Sequence, residues 1–289
     1  PMSTPHGSPI TSADQGSVFP YPGGKARLAS WIQDHLAVHE TYVEPFGGAA
    51  AVLFSKRRSA TEVYNDADGD VVHFFSVLRD RREELVEWLR AVPYSRELYR
   101  EWTRDYYYGD GPDDPIERAG RWFTLRYMQF GAKYEGKSGF NAFAGCQKAT
   151  SFKNQTERLD AFADRLRGVI IEQQDYGDIL DKFDSEDTLF YLDPPYAGDT
   201  VRYQEHGVDH ARLLERARDL EGEAIISAGR LPENTDGWYV ATKDYNYCIR
   251  CYDGQKDVEE ALLMTYDPDT TRFAGASQTT LAGVGGDDQ

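Results

Sequence analysis

Short apolar runs that end in an acid, followed by a glycine- or proline-rich turn and then a helical period, recur along this chain. Residues 41–46, 61–66, 169–172, 189–192 and 224–227 are apolar-rich stretches of strand length. Helical periods follow several of them, at 47–54 after a glycine turn, at 68–78, and at 208–220. A further helical pattern runs from Lys25 through Trp31, Ile32 and Leu36, and strand-like runs close the pattern at 238–240, 245–250 and 260–266. Strands alternating with helices predict an α/β fold whose ligand site lies at the carboxyl ends of the strands.

The alternation is interrupted between residues 79 and 167, where the pattern is mostly helical with breaks at Pro93 and at 109–112. This stretch reads as an inserted helical domain over 81–167, dividing an α/β domain made of 18–80 and 168–267. Within it, 130–145 mixes glycine, aromatics and lysine and reads as a hairpin or long loop centred on 131–146. A leader over 1–17 and a Gly-, Thr- and Asp-rich tail over 268–289 are expected to be disordered.

The stretch with the most chemistry in it is 189–196. Leu189, Phe190, Tyr191 and Leu192 run into Asp193, and Pro194 and Pro195 then force a stiff extended turn before Tyr196. A planar amine can give one hydrogen to the Asp193 carboxylate and another to the Pro194 carbonyl while its ring stacks on Tyr196. A nucleobase amine such as that of adenine suits this arrangement; the plainer alternative is a strand, a Pro-Pro turn and a surface tyrosine. Gly47 and Gly48 open a helix after a strand, the device that lets a nucleotide approach backbone amides. Glu44 at that strand's end can pair with an ammonium group. Asp66, about 20 residues after the glycine turn, stands where such folds hold ribose hydroxyls. Asp68 competes for that role, and capping by Asn65 or Asp66 is the other explanation. Gly23, Gly24 and Lys25 offer a close backbone approach and a cation for a carboxylate or phosphate. Asp175 either accepts from a cofactor's adenine or caps the next helix.

Charge narrows the setting. The chain has 289 residues and a formal charge of −17, with nine lysines against 23 arginines. Heavy acidity with scarce lysine keeps a protein hydrated in concentrated salt, which points to a haloarchaeal cell or a virus of one, against an ordinary acidic protein. Three cysteines cannot make a disulfide framework, and the start of the chain lacks an apolar segment, so a cytoplasmic setting is expected. Cys248 and Cys251 have metal-like spacing without a second pair, and no metal is expected. One window departs from the acidity. Residues 118–153 hold Arg118, Arg121, Arg126, Lys133, Lys137, Lys148 and Lys153 against the single acid Glu135, a local charge of +6. Such a patch fits phosphate binding, with Phe140 or Tyr134 placed to wedge against unstacked bases.

The segments Phe19–Lys25, Val43–Gly48, Tyr64–Asp68 and Asp193–Tyr196 resemble, in this order, the motifs of Dam-like DNA adenine methyltransferases. Gly139, Phe140 and Asn141 resemble that family's hairpin, Asp209 and His210 the segment after its catalytic loop, and residues 257–263 its final strand. The resemblance implies a Rossmann-like, seven-stranded, mostly parallel sheet with an inserted, mainly helical DNA-recognition domain. It implies S-adenosylmethionine as cofactor, with Tyr21, Gly24 and Lys25 near it, Glu44, Phe46, Gly47 and Gly48 at its methionine part, Asp66 at its ribose and Asp175 at its adenine. Asp193, Pro194, Pro195 and Tyr196 would be catalytic on a flipped-out adenine, with Asp193 also bordering the cofactor. Arg126, Lys133, Lys137, Phe140 and Asn141 would meet double-stranded DNA, the protein acting as a monomer or weak dimer. Methylation of a cytosine amine, or an inactive DNA-binding relative, are the alternatives. Ala50 departs from the family, which often has glycine there, and its methyl bears on the turn and on how the cofactor sits.

Overall fold

A computed structural model describes residues 17–130, 139–195, 208–229, 231–232, 234–248 and 255–270. The expected disorder of the leader and tail, and the candidates Lys133, Tyr134, Lys137, Tyr196 and Cys251, lie outside the described residues.

Seven strands form one sheet: β1 (Thr41–Glu44), β2 (Thr61–Asn65), β3 (Val169–Glu172), β4 (Thr188–Leu192), β5 (Glu223–Ala228), β6 (Tyr239–Cys248) and β7 (Gln255–Met264), in the order β3-β2-β1-β4-β5-β7-β6. The first five strands in this order pair parallel, in four pairings, whereas β7 runs antiparallel to both β5 and β6. This is the Rossmann-like, mostly parallel sheet expected. The sequence reads residues 238–240 and 245–250 as separate runs; they fall largely in one strand, β6, whose middle (Thr242, Lys243, Asp244) is polar because it lies at the sheet's edge.

Strand alternation distributes the apolar side chains between two cores. Tyr42, Tyr64, Leu189, Tyr191, Ile225, Leu262 and Met264 face one, and Val43, Val63, Phe190, Leu192, Ala224, Ile226 and Leu263 face the other. The second core is closed by α8 (Tyr176–Phe183) and α9 (His210–Arg218), through Ile179, Leu180, Leu213 and Ala217. The first is closed by α1 (Ala29–Gln33), α2 (Ala51–Ser55), α3 (Gly69–Asp80), α4 (Arg82–Ala91), α6 (Pro115–Met128) and α7 (Lys148–Leu166).

The last group differs from a detached insert. Leu85, Leu89, Trp122, Phe123, Leu159 and Leu166, from α4, α6 and α7, belong to the same buried cluster as the sheet residues. A buried ion cluster fastens α7 to β2: Arg165 Nη2 donates to Glu62 Oε1 at 2.8 Å, and Lys56 Nζ donates to the same oxygen at 2.6 Å. Among the described residues, α5 (Arg96–Tyr108) and the outer face of α6 build a separate small cluster, of Tyr99, Trp102, Leu125 and Met128 with Phe140 packed against it. The helical pattern alone cannot show this, because an amphipathic helix reads the same whichever layer it covers.

Capping sets where the site's helices begin. Asp68 accepts from Asp70 N and starts α3, so the cap is neither Asn65 nor Asp66. Asp175 and Asp209 cap α8 and α9 in the same way.

Candidate active site

β1 and β4 are neighbours, and the chain leaves them to opposite sides of the sheet, β1 towards β2 and β4 towards β5. Their carboxyl ends therefore flank the crevice where open α/β sheets take ligands. Glu44 is the last residue of β1, and Asp193 directly follows β4.

The turn after β1 packs tightly. Gly47 N donates to Asn65 O at 2.8 Å, and Tyr64 Oη donates to Gly48 O at 2.8 Å. A Cβ on Gly47 would fall 2.1 Å from the Tyr64 ring. Gly48 has φ +47, and a Cβ there would lie 2.9 Å from the Tyr21 ring. Ala50 resolves the departure noted in the sequence. It is itself left-handed, at φ 52 and ψ 36, and forms the N-cap of α2. The conformation is one that glycine adopts freely, at a cost to alanine of about 1–2 kcal/mol.

Two buried carboxylates flank this turn. Glu44 Oε1 accepts from Tyr42 Oη at 2.7 Å and from Leu53 N at 2.8 Å. Asp66 accepts from Gly48 N through Oδ2 and from Asp68 N through Oδ1, both at 2.8 Å. Loss of water on burial outweighs these hydrogen bonds and pushes each carboxyl up to about 7. Asn65 stands between them structurally: its Nδ2 donates to Pro45 O at 2.8 Å and its Oδ1 accepts from Gln174 N at 2.8 Å, linking the loops after β1 and β3. Phe46 packs on Tyr176, with ring centroids 5.2 Å apart, which brings the start of α8 to the same end. Asp175 is exposed there, one oxygen accepting from Gly177 N at 2.8 Å.

Asp193 keeps 19% of its side chain open, and Lys25 Nζ donates to its Oδ1 at 2.7 Å. Burial raises the Asp193 pKa, and the Lys25 ammonium opposes that rise. Lys25 is thus spent on carboxylates rather than held open for a ligand. The turn that carries it is closed by Gly24 N donating to Tyr21 O at 3.1 Å. Two further residues at this centre carried no assigned role in the sequence. Glu260 Oε1 of β7 lies 3.6 Å from Lys25 Nζ, and His210 Nε2 donates to Pro195 O at 2.9 Å. The sequence signal for Glu260 is an acid sharing a strand face with Leu262 and Met264, which point into the core.

The proposed DNA face is partly corrected. Arg126 is buried at 1% exposure, its Nη2 donating to Gln129 Oε1 at 3.1 Å, so it lies inside the helical layer rather than on a phosphate-binding surface. Arg118 pairs with Asp70, and Arg121 with Asp105 and Glu117. Asn141 is buried, and its N and O meet Met128 O at 2.7 Å and Tyr94 Oη at 3.0 Å. Phe140 packs against Tyr94 and Tyr99 beneath the Arg96 guanidinium. These two residues seat the base of the expected hairpin, where Gln129 and Phe140 form an antiparallel bridge. Lys153, Phe130 and Phe143 are exposed around it. Charge counting missed the pairing of the arginines because their acidic partners Asp70 and Asp105 lie outside the window. A cleft of about 440 Å³ between α3, α5 and α6 includes none of the strand-end carboxylates.

A doubly wound sheet with acids at the ends of β1, β2 and β4 around a glycine turn is the architecture of open α/β folds that take ligands at the carboxyl ends of their strands. The family model described as D12 class N6 adenine-specific DNA methyltransferase matches residues 21–214, and the chain belongs to that family. It is an adenine-specific DNA methyltransferase. It is 21% identical over 255 residues to the type II methyltransferase M.CviBI of Paramecium bursaria Chlorella virus NC1A, covering 82% of this chain and 93% of that one. It is 25% identical over 185 residues to a DNA adenine methylase of Haemophilus influenzae, covering 61% of this chain and 62% of that one. It is 24% identical over 285 residues to the type II methyltransferase M.MjaIII of Methanocaldococcus jannaschii, covering 85% and 97%. A methyltransferase requires a methyl donor. Among the described residues, no helix is long and apolar enough to cross a membrane, and no cluster of acids, histidines or cysteines is placed to hold a metal.

Proposed function

We propose that this enzyme moves the methyl group of S-adenosylmethionine to the exocyclic amine of an adenine swung out of a specific site in duplex DNA. The observation that carries this reading is the pair of acids at the ends of adjacent strands, Glu44 on β1 and Asp193 after β4. The donor set fits such a ligand. Glu44 suits an ammonium group and Asp66 suits vicinal hydroxyls, on either side of the turn that Gly47 and Gly48 keep close to the Tyr64 and Tyr21 rings. Tyr21, Gly24, Phe46 and Asp175 complete the surroundings in this reading. The cofactor supplies an electrophilic methyl carried on a sulfonium.

The remaining work belongs to the chain. An adenine amine inside a duplex cannot reach a protein crevice, so the base must leave the stack. Asp193 Oδ1 is held by Lys25, and Oδ2 takes one amine hydrogen while the Pro194 carbonyl takes the other. These bonds favour a pyramidal amine whose lone pair points at the methyl. With such a donor bound, Asp193 and the Pro194 carbonyl would hold the amine facing the methyl, and Asp193 would receive the surplus amine proton along its hydrogen bond. Pro195 keeps the turn rigid, with Tyr196 as the stacking face. Alignment and electrostatics account for the rate, with no covalent enzyme intermediate. Incubation with labelled S-adenosylmethionine and unmethylated duplex DNA, followed by nucleoside analysis, should give N6-methyladenine. Label in N4-methylcytosine, or none in DNA, overturns the reading.

Recognition is assigned to α5, the outer face of α6 and the hairpin that Phe140 and Asn141 seat, within the proposed 81–167 region. Lys133 and Lys137 supply the phosphate contacts that Arg126 does not. Lys133→Ala with Lys137→Ala should weaken DNA binding on all sequences, leave cofactor binding alone and flatten the dependence on salt by about two counterions. An unchanged salt slope moves the DNA face elsewhere. The charge of −17 fits a monomer or weak dimer working in concentrated salt, a setting that rests on composition alone.

A further inference from the structure

Three segments far apart in the chain meet at one ammonium group. Lys25 is only 5% exposed and comes from the turn before α1; Asp193 directly follows β4; Glu260, 2% exposed, comes from the antiparallel strand β7. The distances differ in kind. Lys25 donates to Asp193 Oδ1 at 2.7 Å and to Gly23 O at 3.0 Å, whereas Glu260 Oε1 stands at 3.6 Å, an ion-pair contact without a short hydrogen bond. One cation is therefore shared by the half-buried Asp193 carboxylate and the buried Glu260 carboxylate.

We propose that Glu260 is a positioning residue for methyl transfer, acting through Lys25 to offset part of its charge and so to set how strongly Asp193 accepts from the target amine. The proposal rests on the reading of Asp193 as the amine's acceptor. In a pair of Lys25 and Asp193 alone, the charges would cancel, and the carboxylate would be a weaker acceptor facing an amine that turns positive as it takes the methyl. The Glu260 charge restores the field. In a site partly shielded from water this is worth more than at a surface, because the dielectric screening is lower. Placing the second acid on β7 also explains why the antiparallel flank carries a buried carboxylate beside Leu262 and Met264, where an apolar residue would otherwise be expected.

The test is the pH profile of single-turnover methyl transfer at saturating cofactor and DNA. Among the described residues, the charged groups facing Asp193 include Lys25, Glu260 through Lys25, and Glu44 on β1, which is common to all the variants. Glu260→Gln removes a negative charge, so Asp193 ionises more readily: the acidic limb moves to lower pH while the plateau rate falls about ten- to a hundredfold. Lys25→Met removes the cation, so the limb moves to higher pH. The double variant removes both charges beside Asp193, and its limb returns between the two. Glu260→Asp keeps the charge and restores most of the plateau. Cofactor affinity stays within about twofold in the Glu260 variants, because Glu260 is assigned to no group of the donor. A structural role would lower the rate or the melting temperature without opposite shifts of the limb. A Glu260→Gln limb that stays in place, or moves with that of Lys25→Met, overturns the proposal, and the double variant decides the matter should either single variant fail to fold. Asp193→Asn run alongside separates the two readings. If it turns over normally, the acceptor reading itself fails; if it is inactive while Glu260→Gln is normal, only the present inference fails.

Discussion

Replacing Asp193 with alanine should lower the methylation rate by about a hundredfold or more, since the loss of one preorganised polar partner of the reacting group costs that much. The carboxylate stands directly after β4 on the stiff Pro194–Pro195 turn, with one oxygen committed to Lys25. Its free oxygen has no neighbour of the same chemistry to replace it in the turn, because proline offers only a carbonyl. Asp193→Asn keeps the shape and should fall nearly as far, because its neutral amide no longer offers the amine a charged acceptor. The check is a pre-steady-state burst with labelled cofactor, paired with a calorimetric titration of the same cofactor. The rate should collapse while affinity stays within a few fold. Near-normal turnover in the alanine variant sinks the assigned role, and a collapse of affinity in step with rate would move Asp193 from the amine to the donor.

The sheet and the acids at its strand ends were legible because burial on both faces turns a parallel strand into a short apolar run, and a polar residue at the end of such a run stands out. Thr41–Glu44, Thr61–Asn65 and Leu189–Asp193 all show this, and all border the crevice. Position within the helical layer was not legible. Arg126 counts as a cation in any window, yet it is folded against Gln129 and the Trp122 ring, a fact that depends on which side of α6 faces α4 and α7. Glu260 shows the opposite failure. Sequence proximity offers Glu259 as an equal candidate, and only the pairing of β7 with β5 and β6 turns Glu260 towards Lys25. Ala50 marks a third kind, in which a departure from the family pattern turns out to be a left-handed alanine doing the work of glycine.

Cofactor affinity should fall as pH drops through about 7, and the stability of the ligand-free protein should move the other way. Glu44 and Asp66 are both pushed up to about 7 by burial, from ordinary carboxylate values of 4.5 and 3.8. A carboxyl whose folded value is raised takes up protons more readily folded than unfolded. Its stabilising contribution is complete below its unfolded value and is lost as pH rises through 7. These two groups therefore favour the free fold at pH 5 over pH 8. A ligand that brings an ammonium to Glu44 and hydroxyls to Asp66 reverses the preference, because it is held by the ionised acids. Each group that must shed a proton to bind weakens affinity by about tenfold per pH unit below its pKa, so two groups together approach a hundredfold. Titration calorimetry between pH 5 and 8, in buffers of different protonation enthalpy, reads both the affinity and the protons released. Glu44→Gln and Asp66→Asn should each remove their share of that dependence and flatten the corresponding part of the thermal-stability profile. Other acids in the chain titrate too, so the difference between each variant and the parent is the quantity that counts. Asp66→Ala settles its role: if S-adenosylmethionine binds as well as before and only the melting temperature drops, Asp66 holds the Gly48 turn through its two backbone contacts and does not hold a ribose.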